Sequence, residues 1–190
     1  MVRWEPDARG RLEQAALDLF IERGYEQTAV AEIASRAGLT ERTFFRHFAD
    51  KREVLFSGAG ELQDRIVTAV ASVPGSVAPL DAVAEALGAV AVAAALPERR
   101  EYARQRQAVI AANAELQERD LLKLAVLGSA IADALRLRGV ADPAAVLAAE
   151  AGIAVFKAAF GRWISEPGEP DFPGLIRESL GQLKAVTAGG

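Results

Sequence analysis

Thr28, Thr40, Glu41, Arg42, Thr43, Phe45, Arg46, His47 and Lys51 fall within one short stretch, Thr28 to Glu53. Hydroxyls, guanidiniums, one imidazole and one ammonium are hydrogen-bond donors without a nucleophile and base beside them. Such a set suits contact with phosphates and base edges rather than bond-breaking. Arginine pairs two donors with guanine O6 and N7, which makes Arg42 the leading base reader. Glu41 either accepts from a cytosine N4 amine or points away along its helix, and the second is favoured because a carboxylate beside phosphate is costly. His47 either meets a phosphate or interacts with the dipole of its own helix end. Arg46 either serves the same partner or is a solvated charge. Arg3, Arg9 and Arg11 either reach a neighbouring groove or belong to an exposed helix face.

Two short helices and a tight turn must position these groups. Thr28 is expected to cap the first helix through its hydroxyl. Val30, Ile33, Ala34 and Ala37 then share one face. Gly38 follows where a left-handed cap would sit, and Leu39 plugs the turn. Thr40 caps the second helix, which runs to His47 and buries Phe44 and Phe48. Its remaining side chains are left for solvent or a partner. Asp50 is expected to cap a long fourth helix, with Lys51 and Arg52 in its first turn. A helix-turn-helix of this kind sets its second helix in the DNA major groove.

The run Leu39-Thr40-Glu41-Arg42-Thr43-Phe44-Phe45-Arg46-His47-Phe48, then Asp50-Lys51 and Glu53, resembles the DNA-binding signature of TetR-type repressors. The resemblance extends upstream through Ala15 to Phe20, Arg23-Gly24-Tyr25, Thr28-Ala29-Val30 and Glu32-Ile33-Ala34, covering roughly the first 56 residues. It implies phosphate contacts from Thr28, His47 and Lys51, base reading by Arg42 and Thr43, and Phe45 against the sugar-phosphate backbone. Phe45 stands where a tyrosine is common, so only an apolar contact is expected there.

Composition narrows the remaining classes. The 190 residues carry 22 lysines and arginines against 26 acids, a net charge of −4, so any cationic surface must be local. There is no cysteine and a single histidine. No disulfide framework, metal site or cofactor is therefore expected. No set of nucleophile, base and orienter appears, so an enzyme is not expected. The uncharged apolar run Ala86 to Leu96 is too short for a bilayer and no signal pattern opens the chain, so a cytoplasmic location without membrane contact is expected.

Periodicity and breakers predict an all-α fold of about nine helices: a helix-turn-helix domain over 1–52 and a larger helical domain over 53–187. Pro6 fits the first turn of helix one, which Gly24 stops. Later helices run from about Leu80 to Leu96, Pro97 to Ala112, a boundary at Asn113 to Arg138, Asp142 to Ser165, and Asp171 to Ala185. The stretch Arg99 to Arg106, with Asn113 to Leu116 and Phe160 to Trp163, is similar to the C-terminal domain of acyl-CoA-sensing, mycofactocin-type regulators. That similarity implies a small effector with an apolar tail and an anionic head. Leu62, Ile66, Val83, Leu87, Tyr102, Ile110, Leu124, Leu127 and Phe156 are candidates for an apolar lining. Arg104 or Arg106 either holds the anion or pairs with Glu98 and Glu101. In the family the last two helices pair two subunits, which makes Ile153, Phe160, Ile164, Ile176 and Leu180 candidates for a homodimer interface and a palindromic operator the DNA partner. The rival reading is a helical ligand carrier or adaptor whose head binds protein.

Overall fold

The computed structural model describes residues 7–94 and 96–188, the Ala94 side chain excepted. Arg3 and Pro6 lie outside the described residues. Within them the chain forms α1 (Ala8–Arg23), α2 (Val30–Arg36), α3 (Glu41–His47), a 3-10 turn (Glu53–Phe56), α4 (Ala59–Ser72), α5 (Pro79–Ala94), α6 (Pro97–Ala111), α7 (Ala114–Leu137), α8 (Asp142–Ser165) and α9 (Phe172–Thr187). No strand occurs among the described residues, as the absence of period-two patterning led us to expect. The chain divides into two units. One comprises residues up to Gly58 together with Gln105–Asp120; the other comprises Ala59–Arg104 and the residues from Leu121 onward. The division falls inside α6 and α7.

In the first unit α1 buries Leu12, Ala15, Ala16, Leu17, Leu19 and Phe20. Gly24 ends it at φ 87°, its N–H donating to the Phe20 carbonyl. α2 ends in a left-handed turn at Gly38 (φ 68°). There the Leu39 N–H donates to the Ala34 carbonyl (2.8 Å) and the Gly38 N–H to that of Ser35 (3.0 Å), a Schellman closure. Arg11 Nε donates to the Ala37 carbonyl (3.0 Å), so the α2 end is held from outside as well. Arg11 is therefore a cap for another helix, not a member of an exposed helix face.

Two local expectations are corrected. Thr28 does not cap α2; the cap residue is Ala29, whose N–H is held by Glu32 Oε2 at 2.9 Å. Thr28 is 2% exposed and its hydroxyl donates to the Gly24 carbonyl at 2.8 Å. The fourth helix does not start at Asp50 but at Ala59. Val54, Leu55 and Phe56 are all buried, so the chain there has no polar face to expose as a long amphipathic helix would, and Gly58 and Gly60 weaken helical continuation.

The tip of the α6–α7 hairpin belongs to this first unit. Leu116 is fully buried, Arg119 Nε donates to Glu53 Oε1 at 2.6 Å, and Arg52 Nη1 pairs with Glu115 at 3.0 Å. Arg106 donates to the Leu55 carbonyl and lies over the Phe56 ring. Three guanidiniums thus tie the hairpin tip to the 3-10 turn and the residue before it.

In the second unit α5 packs on α4, α8 and α9, and α8 packs on α9. Its core includes Ile66, Val70, Val83, Leu87, Ile131, Leu135, Trp163 and Ile176. Trp163 stacks on Phe172 with ring centres 4.6 Å apart. α8 is long and apolar enough to cross a bilayer by length and composition, which the run-length argument missed because isolated charges interrupt it. Eight of its 24 residues are buried, and it packs on α5 and α9. Asp142 is its first residue, Ala141 occupies the cap position, and Asp142 accepts from Arg136 Nε.

Gly152 sets the closest approach in this unit. A Cβ there would sit 2.4 Å from Val83 Cγ1, and Val83 is fully buried. Gly152→Ala is expected to destabilise the protein by about 1–3 kcal/mol, as overpacking does. Adding Val83→Ala should remove most of the clash, although Val83→Ala alone also destabilises. Thermal unfolding of the two single variants and the double variant checks this through the coupling, and strictly additive losses would refute the contact.

Candidate nucleic-acid interface

α3 is seven residues long, too short to persist alone. Its shape comes from Phe44 and Phe48, buried at i and i+4 with ring centres 5.2 Å apart, and from Thr40 Oγ1 accepting the Thr43 N–H at 3.2 Å. The Thr43 hydroxyl lies 3.1 Å from that of Thr40, so both hydroxyls join the cap. With the two phenylalanines turned inward, Thr40, Glu41, Arg42, Phe45, Arg46 and His47 are exposed and Thr43 half-buried. Phe45 is 55% exposed, with its edge toward Phe44. An aromatic ring so open to water suits a partner surface rather than the core.

Charge distribution separates this helix from the rest of the unit. Arg9 pairs with Glu13, Arg23 with Glu32, Arg36 with Glu22, and Arg119 with Glu53. Arg52 pairs with both Asp50 and Glu115. Among the described residues Arg42 and Arg46 have no hydrogen bond or ion pair, and His47 has only its ring contact with Phe48. Glu41 stands in the first turn, where a carboxylate is favourable for the dipole.

The flanking residues are placed differently. Thr28 faces the interior, so a phosphate contact would require its bond to Gly24 to open. Lys51 precedes the 3-10 turn; its Nζ donates to the Tyr25 carbonyl at 2.7 Å and lies 4.1 Å from the Tyr25 ring centre. Burial pushes the Tyr25 phenol up to about 12, so the ring stays neutral beneath that ammonium. The Arg52 guanidinium holds the Asp50 carboxyl below its usual range, assisted by the backbone N–H groups of Glu53 and Arg52. That carboxylate offsets the Arg52 guanidinium, while among the described residues the Lys51 ammonium is held by Tyr25 alone.

The second unit holds an apolar cavity of about 150 Å³. Leu62, Ile66, Leu87 and Phe156 line it, joined by Val90, Ala91, Arg99, Ala103, Phe160, Trp163 and Phe172. Val83 does not line it, because Gly152 draws it into the α5–α8 contact. Nor do Tyr102, Leu124 or Leu127, and Arg106 and Ile110 belong to the first unit. Arg104 is paired with Glu101 at 2.8 Å. Of the α8 aromatics, only Phe156 was expected to line a pocket; Phe160 was expected at the subunit interface and Trp163 was not assigned, and Arg99 carried no signal beyond being one arginine in a basic helix.

The candidate interface residues also divide. Ile153 and Ile176 are buried in their own unit, and Phe160 faces the cavity. Ile164 and Leu180 are half-buried. What α8 leaves outward includes the small residues Ala154, Ala158 and Gly161, with Leu147 at the start and the charged Glu150 and Lys157 among them.

Residues 13–57 match the family described as bacterial regulatory proteins, tetR family, and residues 77–188 match the domain described as MftR C-terminal domain. The HTH-type transcriptional regulator TcmR of Streptomyces glaucescens is 39% identical over 82 residues, 43% of this chain and 36% of that one. The HTH-type transcriptional activator FasR of Mycolicibacterium smegmatis is 34% identical over 64 residues, 34% of this chain and 29% of that one. The chain thus spans about a third of the length of these curated relatives. A solved structure of SmeT, the repressor of the Stenotrophomonas maltophilia multidrug efflux pump SmeDEF, superposes with a TM-score of 0.60 at 20% identity, covering 94% of this chain and 89% of that one. At that identity the likeness is one of fold.

The depressed Asp50 pKa has a definite consequence. Its stabilisation is present above the unfolded carboxylate value of about 4 and is lost as pH falls through the lower folded value. Asp50→Asn keeps an acceptor for the two backbone N–H groups but loses the charge opposite Arg52, and is expected to cost up to about 1 kcal/mol at neutral pH, as loss of a partly exposed ion pair does. The gap to wild type should narrow as pH falls from neutral through the lowered folded value and close once Asp50 is protonated in both states. Urea unfolding across that range measures it; a gap of constant size would show that the charge of Asp50 is immaterial.

Proposed function

Since the chain belongs to the TetR family of bacterial transcriptional regulators, we propose that it is a cytoplasmic repressor that binds a palindromic operator as a homodimer and leaves it when a small apolar effector binds. The observation that carries this reading is the sorting of cations: Arg42 and Arg46 have no counter-ion among the described residues, and both lie on the exposed side of α3. An acidic chain gains from leaving cations unpaired on one helix only if an anion completes them.

In this reading α3 enters the major groove, Arg42 and Thr43 meet base edges, and Phe45 lies against the backbone sugars. Arg46, His47 and Lys51 meet phosphates. The two copies of α3 sit about 34–36 Å apart on successive turns of the groove. The outward face of α8 with its small residues meets its equivalent in the second subunit, because small side chains allow helices to approach closely. The effector acts by preferring a conformation in which the two heads no longer match that spacing, and it shifts the balance only by its difference in affinity for the two states.

Fluorescence anisotropy with DNA flanking the protein's own gene, against non-specific competitor, tests the head. Arg42→Ala is expected to lose about 1–3 kcal/mol and to relax discrimination at one base pair. Arg46→Ala should weaken binding to all sequences and lower the salt slope by about one unit. Partner binding that is insensitive to salt and to Arg42→Ala would replace this reading with that of an adaptor whose head binds protein. Light scattering tests the dimer: Ala154→Arg is expected to give monomers with operator affinity reduced at least about tenfold, and an intact dimer in that variant would place the interface elsewhere.

A further inference from the structure

The cavity of the second unit says more about the effector than the family does. Its volume of about 150 Å³ is that of a single aromatic ring with little to spare; an apolar protein cavity of about this size takes benzene. Four of its walls are aromatic. Trp163 stacks on Phe172, Phe160 lies with its ring centre 5.9 Å from Trp163, and Phe156 stacks on Phe160 at 5.7 Å. Arg99 is the one ionisable residue among those lining the cavity, and among the described residues it has no hydrogen bond or ion pair. A planar apolar body with a single anionic group matches that combination.

The neighbouring groove argues against a larger anion. It is lined by Arg100, Glu101, Arg104, Glu166 and Glu169 beside apolar and loop residues. Arg100 already donates to the carbonyls of Trp163 and Gly168 at 2.6 Å each and to that of Glu166. Arg104 is engaged by Glu101. With Arg100 bound to three carbonyls, Arg104 paired with Glu101 and Glu166 paired with Arg162, the groove offers the phosphates of a coenzyme A head no uncommitted cation, and about 150 Å³ does not enclose a long acyl tail.

We infer that this cavity binds a small aromatic monocarboxylic acid, its ring held among Phe156, Phe160, Trp163 and Phe172 and its carboxylate on Arg99. The inference rests on the reading of the protein as an effector-controlled regulator, and it replaces the acyl-CoA-like effector with a compact one. Trp163 is one of only two tryptophans in the chain and lines the cavity, so its fluorescence reports occupancy without any DNA.

The experiment titrates the full-length protein with benzoate and phenylacetate, using tryptophan fluorescence and calorimetry, beside benzyl alcohol, octanoate and an oleoyl-CoA control. Saturable one-to-one binding of an aromatic acid is expected. Arg99→Gln should weaken it by about tenfold or more while leaving benzyl alcohol binding unchanged. Ala103→Leu, which puts three more carbons on a lining residue, should weaken acid and alcohol together. Thermal melts confirm that both variants are folded. Absence of aromatic-acid binding at millimolar concentration, indifference to Arg99→Gln, or tighter binding of oleoyl-CoA would each overturn the assignment. Binding that leaves the operator complex intact would uphold it and overturn the release mechanism instead.

Discussion

A chain with more carboxylates than cations can approach a polyanion only where its positive charges lack internal counter-ions. That constraint organises the first unit. Glu13, Glu22, Glu32, Asp50, Glu53 and Glu115 neutralise arginines on α1, on α2 and around the 3-10 turn. Most of these pairs are exposed and add little to stability individually. Their larger effect is on where the field points: among the described residues Arg42 and Arg46 on α3 keep no counter-ion, with Lys51, held only by Tyr25, nearby in sequence. A diffuse positive surface would attract any nucleic acid, whereas a narrow one leaves discrimination to the few side chains it carries.

Holding α3 in place requires more than its own sequence. Gly38 turns the chain, and Arg11 fixes the carbonyl just before it from across the unit. Thr28 fastens the loop between α1 and α2 from inside. Arg52, Arg106 and Arg119 join residues distant in sequence, bringing the α6–α7 hairpin tip against Arg52, Glu53, Leu55 and Phe56. Arginines of this unit therefore do two opposed jobs. Those with partners build the frame, and those without face outward.

Much of this was legible in the residues. Glycine after α2, threonine at the α3 cap, and phenylalanines four apart each have one dominant physical use, so helix-turn-helix and inward face could be read directly. The fold class followed from periodicity and breakers. Where a residue has several uses, the sequence could not choose. Thr28 has the composition of a helix cap, but Glu32 takes that role from three residues downstream. Asp50 caps a turn that reads like a helix start until one asks how three consecutive apolar residues can all be buried. Val83 looked like lining and is packing, because the missing Cβ at position 152 lies far along the chain. Arg106 and Arg99 are near neighbours in one basic helix, yet one ties down the 3-10 turn and the other lines the cavity. That difference is set by tertiary placement alone, as is the fate of Ile153 and Ile176, whose apolarity is used within the subunit.

The brevity of α3 has one more implication. Seven residues cannot hold a helix in water, so the order of the reading surface is borrowed from the core beneath Phe44 and Phe48. A peptide copying positions 40 to 48 would carry every letter of the recognition element and none of its shape. Any event that loosens that core, whether heat, a cavity-making substitution or a chaperone, erases the reading surface in a single cooperative step rather than dulling it by degrees.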